Sequence, residues 1–349
     1  MFRRERDENL QDWPALRAHL QEHGLEMDLA IRPRQFSAGF GNLNYLIAID
    51  GKQWVLRRPP AGELPPGAND MQREFTILQN LWKAFPLAPQ AIHFSADKAI
   101  LGAPFLIMEY RPGLVIGGIL PASPVLTQEQ RYALGNTLVS VLAQLHSVDT
   151  DAVGLGGLGR PAGMLSRMID GWERRAALAA GTAAPEGLTR LAGWLRKNLP
   201  EQQPARLLHS DFKLDNVILD PLTLQPRAVI DWDMGTRGDP LVDLATLLSY
   251  WTEAGDPPAM HQLGQMPTAQ QGFHTRREVA ELYALKTGAD ISALRFYRVL
   301  TMLKLTVIFM QLHAQFLRGV PSTDRYRTFG TLAHGLLDFT EEIALGNAN

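Results

Sequence analysis

His209-Ser210-Asp211-Phe212-Lys213-Leu214-Asp215-Asn216 is a polar run that stops where the apolar stretch Val217-Ile218-Leu219 begins. A second apolar stretch, Ala228-Val229-Ile230, delivers Asp231 and Trp232. An Asp followed five residues later by an Asn, then an Asp closing a strand, suits chemistry on a metal-bound nucleoside triphosphate. Such chemistry needs little covalent help from a protein. It needs the nucleophile in line, the phosphates held, and the developing charge spread onto cations. Asp211 is the candidate for orienting an attacking hydroxyl, and Asn216 and Asp231 are hard oxygen donors suited to Mg²⁺. Lys213 offers a point charge to the transferring phosphate, and His209 reads as a brace for the loop. Singly, an Asp or Asn ahead of a strand is an ordinary turn residue. The spacing, the strand that follows and the second Asp carry the weight together.

These side chains need elements to position them. Residues 10–23 have the pattern of an amphipathic helix ending at Gly24. Asn44 to Ile49 and Trp54 to Arg57 flank Asp50-Gly51, a strong hairpin signal. A Pro/Gly-rich stretch from Pro59 to Gly67 precedes a helix carrying Met71, Phe75, Leu78 and Leu81, with Glu74 inside it. A strand over residues 105–110 ends near Pro112-Gly113, where the lobe boundary is expected: residues 1–111 as a nucleotide-binding lobe, 112–349 as a catalytic and substrate-binding lobe. Beyond it, Gln128 to His146 reads as a long helix. The two short strands around Pro221 and Pro226 form a hairpin that brings Asn216 and Asp231 to one end of a ribbon, and the remainder is helical.

Composition narrows the function classes. The chain has 349 residues, 46% of them hydrophobic, and a formal net charge of -2, so nothing points to nucleic acid or an anionic membrane. Cysteine is absent, which removes disulfides and thiolate chemistry and suits a cytoplasmic location. Arg3, Arg4 and Arg6 are not followed by an apolar run, so no signal peptide is expected, and the apolar stretch at 306–310 is too short to span a bilayer.

With these residues in view, the chain resembles the aminoglycoside phosphotransferase-like family of small-molecule kinases over most of residues 30–310. It resembles in particular the branch that includes kinase domains fused to acyl-CoA dehydrogenases. The resemblance rests on the run at 209–216, Ile230-Asp231-Trp232, Trp54 to Pro60, Arg73-Glu74-Phe75, Met108-Glu109-Tyr110, Leu145-His146 and Asp239 to Ala245. It implies an α+β, two-lobed protein-kinase-like fold with a small β-rich N-lobe and a larger, mainly helical C-lobe. ATP and Mg²⁺ are the implied cofactors. By resemblance Asp211 is the catalytic Asp, Asn216 and Asp231 the metal ligands, and Arg57 the phosphate-binding cation where the family usually has Lys. Glu74 is the helix carboxylate that pairs with that cation, and Glu109 and Tyr110 are the linker whose backbone meets adenine. Ser37 to Asn44, with Gly39, Gly41 and Asn42, stands in for the nucleotide-covering loop. Arg58 is expected as an exposed strand-end cation, Asp239 as a structural residue near a turn, and Asp243 as a surface or N-cap residue.

The branch implies transfer of the ATP γ-phosphate to a hydroxyl of a small molecule, with a hydroxyacyl-CoA or hydroxy acid as acceptor. An aminoglycoside or other antibiotic kinase is the enzyme alternative, although the C-terminal segment has no acidic excess to suit a polycation. A nucleotide-binding pseudokinase without turnover is the alternative from another class. A protein kinase is disfavoured: Ser210 stands where an Arg would read a phosphorylated activation loop, and too few residues separate Asp231 from Asp239 to hold one. Arg160, Arg167, Arg174 and Arg175 could meet CoA phosphates, but a solvated helix face is the preferred reading. The sequence does not fix the oligomeric state.

Overall fold

The computed structural model describes residues 2–37, 41–60, 69–123, 125–181, 185–319 and 324–348. Its N-terminal part begins with α1 (Trp13–Glu22), capped by Asp12, whose carboxylate accepts from the Ala15 N–H. Strands β1 (Arg34–Gln35), β2 (Leu43–Ile49) and β3 (Lys52–Arg58) follow, then α2 (Met71–Leu81), β4 (Ala91–Ser95), the short α3 (Lys98–Leu101) and β5 (Phe105–Glu109). The strands form one antiparallel sheet in the order β1-β2-β3-β5-β4. Asp50 and Gly51 both have positive φ, 49° and 70°, as a two-residue turn between twisted strands requires. The sheet is buried on both sides. Tyr45, Ile47, Ile49, Leu56, Phe105 and Ile107 pack with Leu16 and Leu20 of α1 on the outer face. Val55, Leu106 and Met108 pack with α2 on the inner face, in the same apolar cluster as the C-terminal lobe.

The larger lobe is mainly helical. It comprises α4 (Gln128–His146), α5 (Met164–Ala180), α6 (Glu186–Lys197), α7 (Leu241–Tyr250), α8 (Pro258–Leu263), α9 (Arg276–Thr287), α10 (Leu294–Leu317) and α11 (Phe329–Leu345). Thr127 and Gln130 close a capping box on α4, and Thr275 and Glu278 do the same on α9. Every residue of α7 is buried, and α10 packs against α5, α7 and α11. Together α7 and α10 form the floor on which the site loops rest. Helix α10 extends the apolar stretch at 306–310 to a length that could cross a bilayer, yet most of its apolar window is buried inside this lobe.

Two small ribbons frame the polar run. β6 (Arg206–Leu208) pairs with β9 (Thr236–Gly238), and β7 (Val217–Leu219) with β8 (Pro226–Val229). The second is the expected hairpin, with Pro221 and Pro226 bracketing its turn; the second strand was expected over 228–230 and instead opens at Pro226, where Pro is tolerated as a strand's first residue because no ladder N–H is lost inside it. The first ribbon and strands β1 and β4 were not predicted.

After β5 the chain is stitched to the larger lobe. Leu114 and Leu219 exchange both backbone hydrogen bonds, at 2.8 and 2.9 Å. Gly113 makes that approach possible: a Cβ there would lie 2.4 Å from Ile218 Cγ2 and 2.5 Å from the Leu219 carbonyl oxygen, both closer than atoms tolerate. We therefore expect Gly113→Ala to destabilise the protein by about 1–3 kcal/mol, as overpacking of a tight contact does. Urea unfolding measures this; an unchanged midpoint would refute the close approach.

Candidate active site

The loop from β6 to β7 carries the polar run. Its backbone is fixed from beneath by one carboxylate. Asp243, on the first turn of α7 and fully buried, accepts from the N–H groups of His209 at 2.6 Å and Ser210 at 2.8 Å, and lies 3.4 Å from His146 Nε2. A surface or N-cap role for Asp243 is thus corrected. It is the interior anchor of the loop, because two buried N–H donors point inward and need an acceptor. Lys304 of α10 donates to the Ser210 carbonyl at 2.8 Å. Held on both sides, Ser210 keeps a φ of 69°, a left-handed conformation costing a non-glycine residue on the order of 1–2 kcal/mol.

His209 is fully buried and acts as the brace expected of it. Its Nε2–H donates to the Ile230 carbonyl at 2.9 Å, and its Nδ1 accepts from the Asp211 N–H at 3.3 Å. Those partners fix the neutral tautomer and tie the loop to the end of β8. Asp239 is also buried, accepting from the Tyr297 hydroxyl and the N–H groups of Gln203 and Leu241.

Above this frame the polar side chains converge. Asp211 Oδ1 accepts from the Tyr250 hydroxyl at 2.7 Å. Asn216 Nδ2 donates to the Asp211 carbonyl oxygen at 2.9 Å and reaches its Oδ2 at 3.3 Å. The amide oxygen of Asn216 is engaged by neither contact. Lys213 Nζ lies 3.4 Å from Asp211 Oδ2 and 3.3 Å from Asp215 Oδ1. Burial alone would raise the Asp211 pKa, but Lys213, Lys304 and the Tyr250 hydroxyl outweigh it, so Asp211 titrates below its ordinary range. Lys213 is displaced upward: burial opposes its charge, and Asp211, Asp215 and Asp231 more than compensate. Asp211 is therefore an anion paired with a persistent cation at neutral pH.

The second half of the site comes from the small lobe. Asn216 opposes Ile230, whose N–H donates to the Asn216 carbonyl at 2.9 Å, so the ribbon places Asp231 beside Asn216. Asp231 has a φ of 72° and stays 34% exposed at its side chain. Its Oδ1 is bonded to Arg57 Nη2 at the end of β3. Arg57 is buried; its Nε lies 2.8 Å from Glu74 Oε2 of α2, and its Nη2 lies 3.8 Å from Asp233 Oδ2. Glu74 also accepts from the Trp232 N–H at 3.2 Å through its other oxygen. One helix carboxylate thus holds both the strand cation and the segment carrying Asp231.

Arg57 serves three carboxylates, which leaves surplus negative charge. Burial, reinforced by Asp231 and only partly opposed by Arg57, pushes Asp233 up to about 6. Burial, offset in part by Arg57, pushes Glu74 up to about 7. A crowd of carboxylates that already draws protons has the charge and the oxygen donors to hold a divalent cation. The residues therefore fit Mg²⁺, with Asp231 and the Asn216 amide oxygen as the available donors.

The remaining expectations divide. Asn42 is buried and donates to Asp233 at 3.3 Å, and Asn69 secures it by donating to Asn42 Oδ1 at 2.7 Å and to the Gly41 carbonyl at 2.5 Å. Gly39 lies outside the described residues. The Glu109 side chain turns to Arg111 at 2.8 Å and to the Gln90 N–H at 3.3 Å, and the half-buried Tyr110 packs near Phe36. Arg58 is buried, not exposed: Nη1 donates to Gln11 Oε1 at 2.5 Å and to the Leu101 carbonyl, and Nε donates to the Pro59 carbonyl at 3.1 Å. Alternation along β3 sends it to the face opposite Arg57, where α1 and α3 cover it. Arg160, Arg167, Arg174 and Arg175 are exposed; Arg167 bonds the carbonyls of Ala162 and Arg160, and Arg175 lies over the Trp172 ring. Sequence reasoning missed Asp233, Tyr250 and Lys304. Only Asp233 left a signal, as the second carboxylate of Asp231-Trp232-Asp233.

Residues 32–282 match the family model described as "Phosphotransferase enzyme family". Acyl-CoA dehydrogenase family member 10 of Mus musculus is 31% identical over 312 residues, covering 89% of this chain. Acyl-CoA dehydrogenase family member 11 of Pongo abelii is 31% identical, covering 94% of it. The chain spans only 29% and 42% of the lengths of these relatives. Among solved structures, a protein of Ralstonia eutropha provisionally named an aminoglycoside phosphotransferase superposes with a TM-score of 0.78 at 24% identity, covering 97% of this chain and 99% of that one. A ternary complex of the aminoglycoside phosphotransferase APH(4)-Ia with AMP-PNP and hygromycin B superposes with a TM-score of 0.58 at 17% identity, covering 93% and 98%. These structures agree with the two-lobed fold: a small antiparallel sheet and a larger helical lobe.

The raised pKa of Glu74 has a consequence for stability. Its folded value of about 7 exceeds the ordinary 4.5, so the folded state binds the proton more tightly than the unfolded chain does. That contribution is fully present below about pH 4.5 and is lost as pH rises through about 7. In nucleotide-free protein, the stability difference between wild type and Glu74→Gln should shift against the wild type across that window. Urea unfolding at several pH values measures it; a difference independent of pH would contradict the charge crowding.

Proposed function

The chain belongs to the phosphotransferase enzyme family, and from that premise we propose that it transfers the γ-phosphate of ATP to a hydroxyl of a small molecule. The observation that carries this reading is the meeting of Asp211, Asn216 and Asp231 with Arg57 and Lys213. Arg57 would receive the phosphates, the backbone at Gly41 and Asn42 would cover them, and the backbone of Glu109 and Tyr110 would receive adenine. Asn216 and Asp231 would hold Mg²⁺, which when bound neutralises phosphate charge and orients the triphosphate.

The chain's own groups supply the remainder. Tyr250 holds Asp211 Oδ1 in a short hydrogen bond, whereas Asn216 and Lys213 reach Oδ2 only at 3.3 and 3.4 Å, so Oδ2 is the oxygen that would take the hydrogen bond of an acceptor hydroxyl. A carboxylate with a depressed pKa is a weak base, so it aligns the hydroxyl and takes its proton late, once the oxygen–phosphorus bond is forming. Lys213, 3.4 Å from that oxygen, can follow the charge on the moving phosphoryl group. Relatives that this chain matches over part of their length are named acyl-CoA dehydrogenase family members, which supports a hydroxyacyl-CoA or hydroxy acid as the acceptor we propose.

Asp211→Asn should preserve the fold and lower turnover by roughly 10²–10⁴-fold. The assay is ADP release with Mg-ATP across hydroxyacyl-CoAs, hydroxy acids, aminoglycosides, choline and sugars. Turnover of no acceptor despite tight Mg-ATP binding would overturn the enzymatic reading, and full activity in Asp211→Asn would remove Asp211 from its role. Asp231→Ala should weaken Mg-dependent nucleotide binding; an unchanged affinity by calorimetry would count against the metal assignment.

A further inference from the structure

Three imidazoles meet on the outer face of the small lobe, on the other side of the sheet from Arg57. His19 and His23 are one helical turn apart at the end of α1, and His93 comes from β4. Their ring centroids lie 4.4, 5.0 and 5.0 Å apart. One potential ligand atom from each falls within 4.8 Å of the others. His19 Nε2 and His93 Nε2 are 2.9 Å apart. Metal–nitrogen bonds of about 2.0–2.1 Å in a tetrahedron put ligand nitrogens roughly 3.3–3.4 Å apart, so this pair needs to open by only a few tenths of an ångström.

A second observation concerns the third ring. His23 Nδ1 lies 2.8 Å from the His19 carbonyl oxygen. A carbonyl only accepts, so Nδ1 carries a proton, and in the neutral ring the lone pair lies on Nε2. A backbone carbonyl holding the non-ligating nitrogen is the usual outer partner of a metal-bound imidazole. The protonation state is favourable as well. Burial, aided by the neighbouring rings, lowers His93 to about 4, and burial together with His23 lowers His19. Neutral imidazole is the form that ligates.

We propose that His19, His23 and His93 form a binding site for a borderline transition-metal ion, Zn²⁺ in the first instance, with solvent completing the coordination. Nitrogen ligands on a helix end and a strand make the site a clip between α1 and β4. The other end of α1 is already tied to the sheet, since Gln11, just before it, receives Arg58. An occupied clip fixes both ends of the helix on the sheet.

The test uses the full chain, stripped with a chelator and carrying Asp231→Asn so that the oxygen-donor site of the other face does not compete. Zn²⁺ titration against a chromophoric chelator should show one ion bound, with affinity falling at least ~10-fold in His23→Ala, whose exposed side chain can be removed without unfolding the lobe. Co²⁺ should give the visible absorption of a nitrogen-ligated tetrahedral site, lost in the same variant, and Zn²⁺ should raise the unfolding midpoint only when His23 is present. No Zn²⁺ binding, or binding in His23→Ala and His19→Ala as strong as in the parent chain, would overturn the proposal.

Discussion

One buried guanidinium joins the parts of this molecule. Arg57 leaves the small sheet and meets Glu74 from α2 together with Asp231 and Asp233 from the larger lobe. A cation taken out of water is tolerated only when opposite charge surrounds it, and here the surrounding charge comes from both lobes. The balance is overshot, with three carboxylates to one cation. Burial foremost, and the neighbouring carboxylates after it, raise the titrations of Glu74 and Asp233, and the surplus of carboxylates suits the site to a divalent ion. Arg suits the position better than Lys would, because its planar fork can address Glu74 and Asp231 with different nitrogens at once.

The opposite wall of the site is organised by a second buried charge. Asp243 collects the backbone N–H groups at 209 and 210, and Lys304 takes the carbonyl at 210. Both residues sit on the core helices α7 and α10 and not on the loop they control. Tyr250, at the far end of α7, sets the orientation of the Asp211 carboxylate. The loop thus inherits the rigidity of the packed helices beneath it, which is how a short irregular segment can hold reactive side chains to the accuracy that phosphoryl transfer demands.

Much of this was legible in the sequence, for reasons that can be named. Local signals were faithful: Asp50-Gly51 marked the hairpin, the periodicity from 128 to 146 marked α4, and the strands around Pro221 brought Asn216 to Asp231. What the sequence concealed is burial. Arg58 looked like a strand-end cation because nothing local announces that α1 and α3 cover that face. Asp243 looked like a helix-start carboxylate because its partners, the N–H groups of His209 and Ser210, lie far away in the chain. Tyr250 and Lys304 sit within apolar helices whose pattern reads as core, and their polar tips are explained only once the loop lies against them. β6 and β9 have three residues each, too short for an alternation to register.

The double backbone bond between Leu114 and Leu219 bears on how the molecule can move. The ribbon that presents Asn216 and Asp231 is sewn at Leu219 to the chain leaving the small sheet, and again where the Val229 N–H donates to the Leu87 carbonyl at 2.7 Å. Rotation of the sheet against the helices would have to strain both seams, so the meeting of Arg57 with Asp231 is secured by main chain as well as by charge.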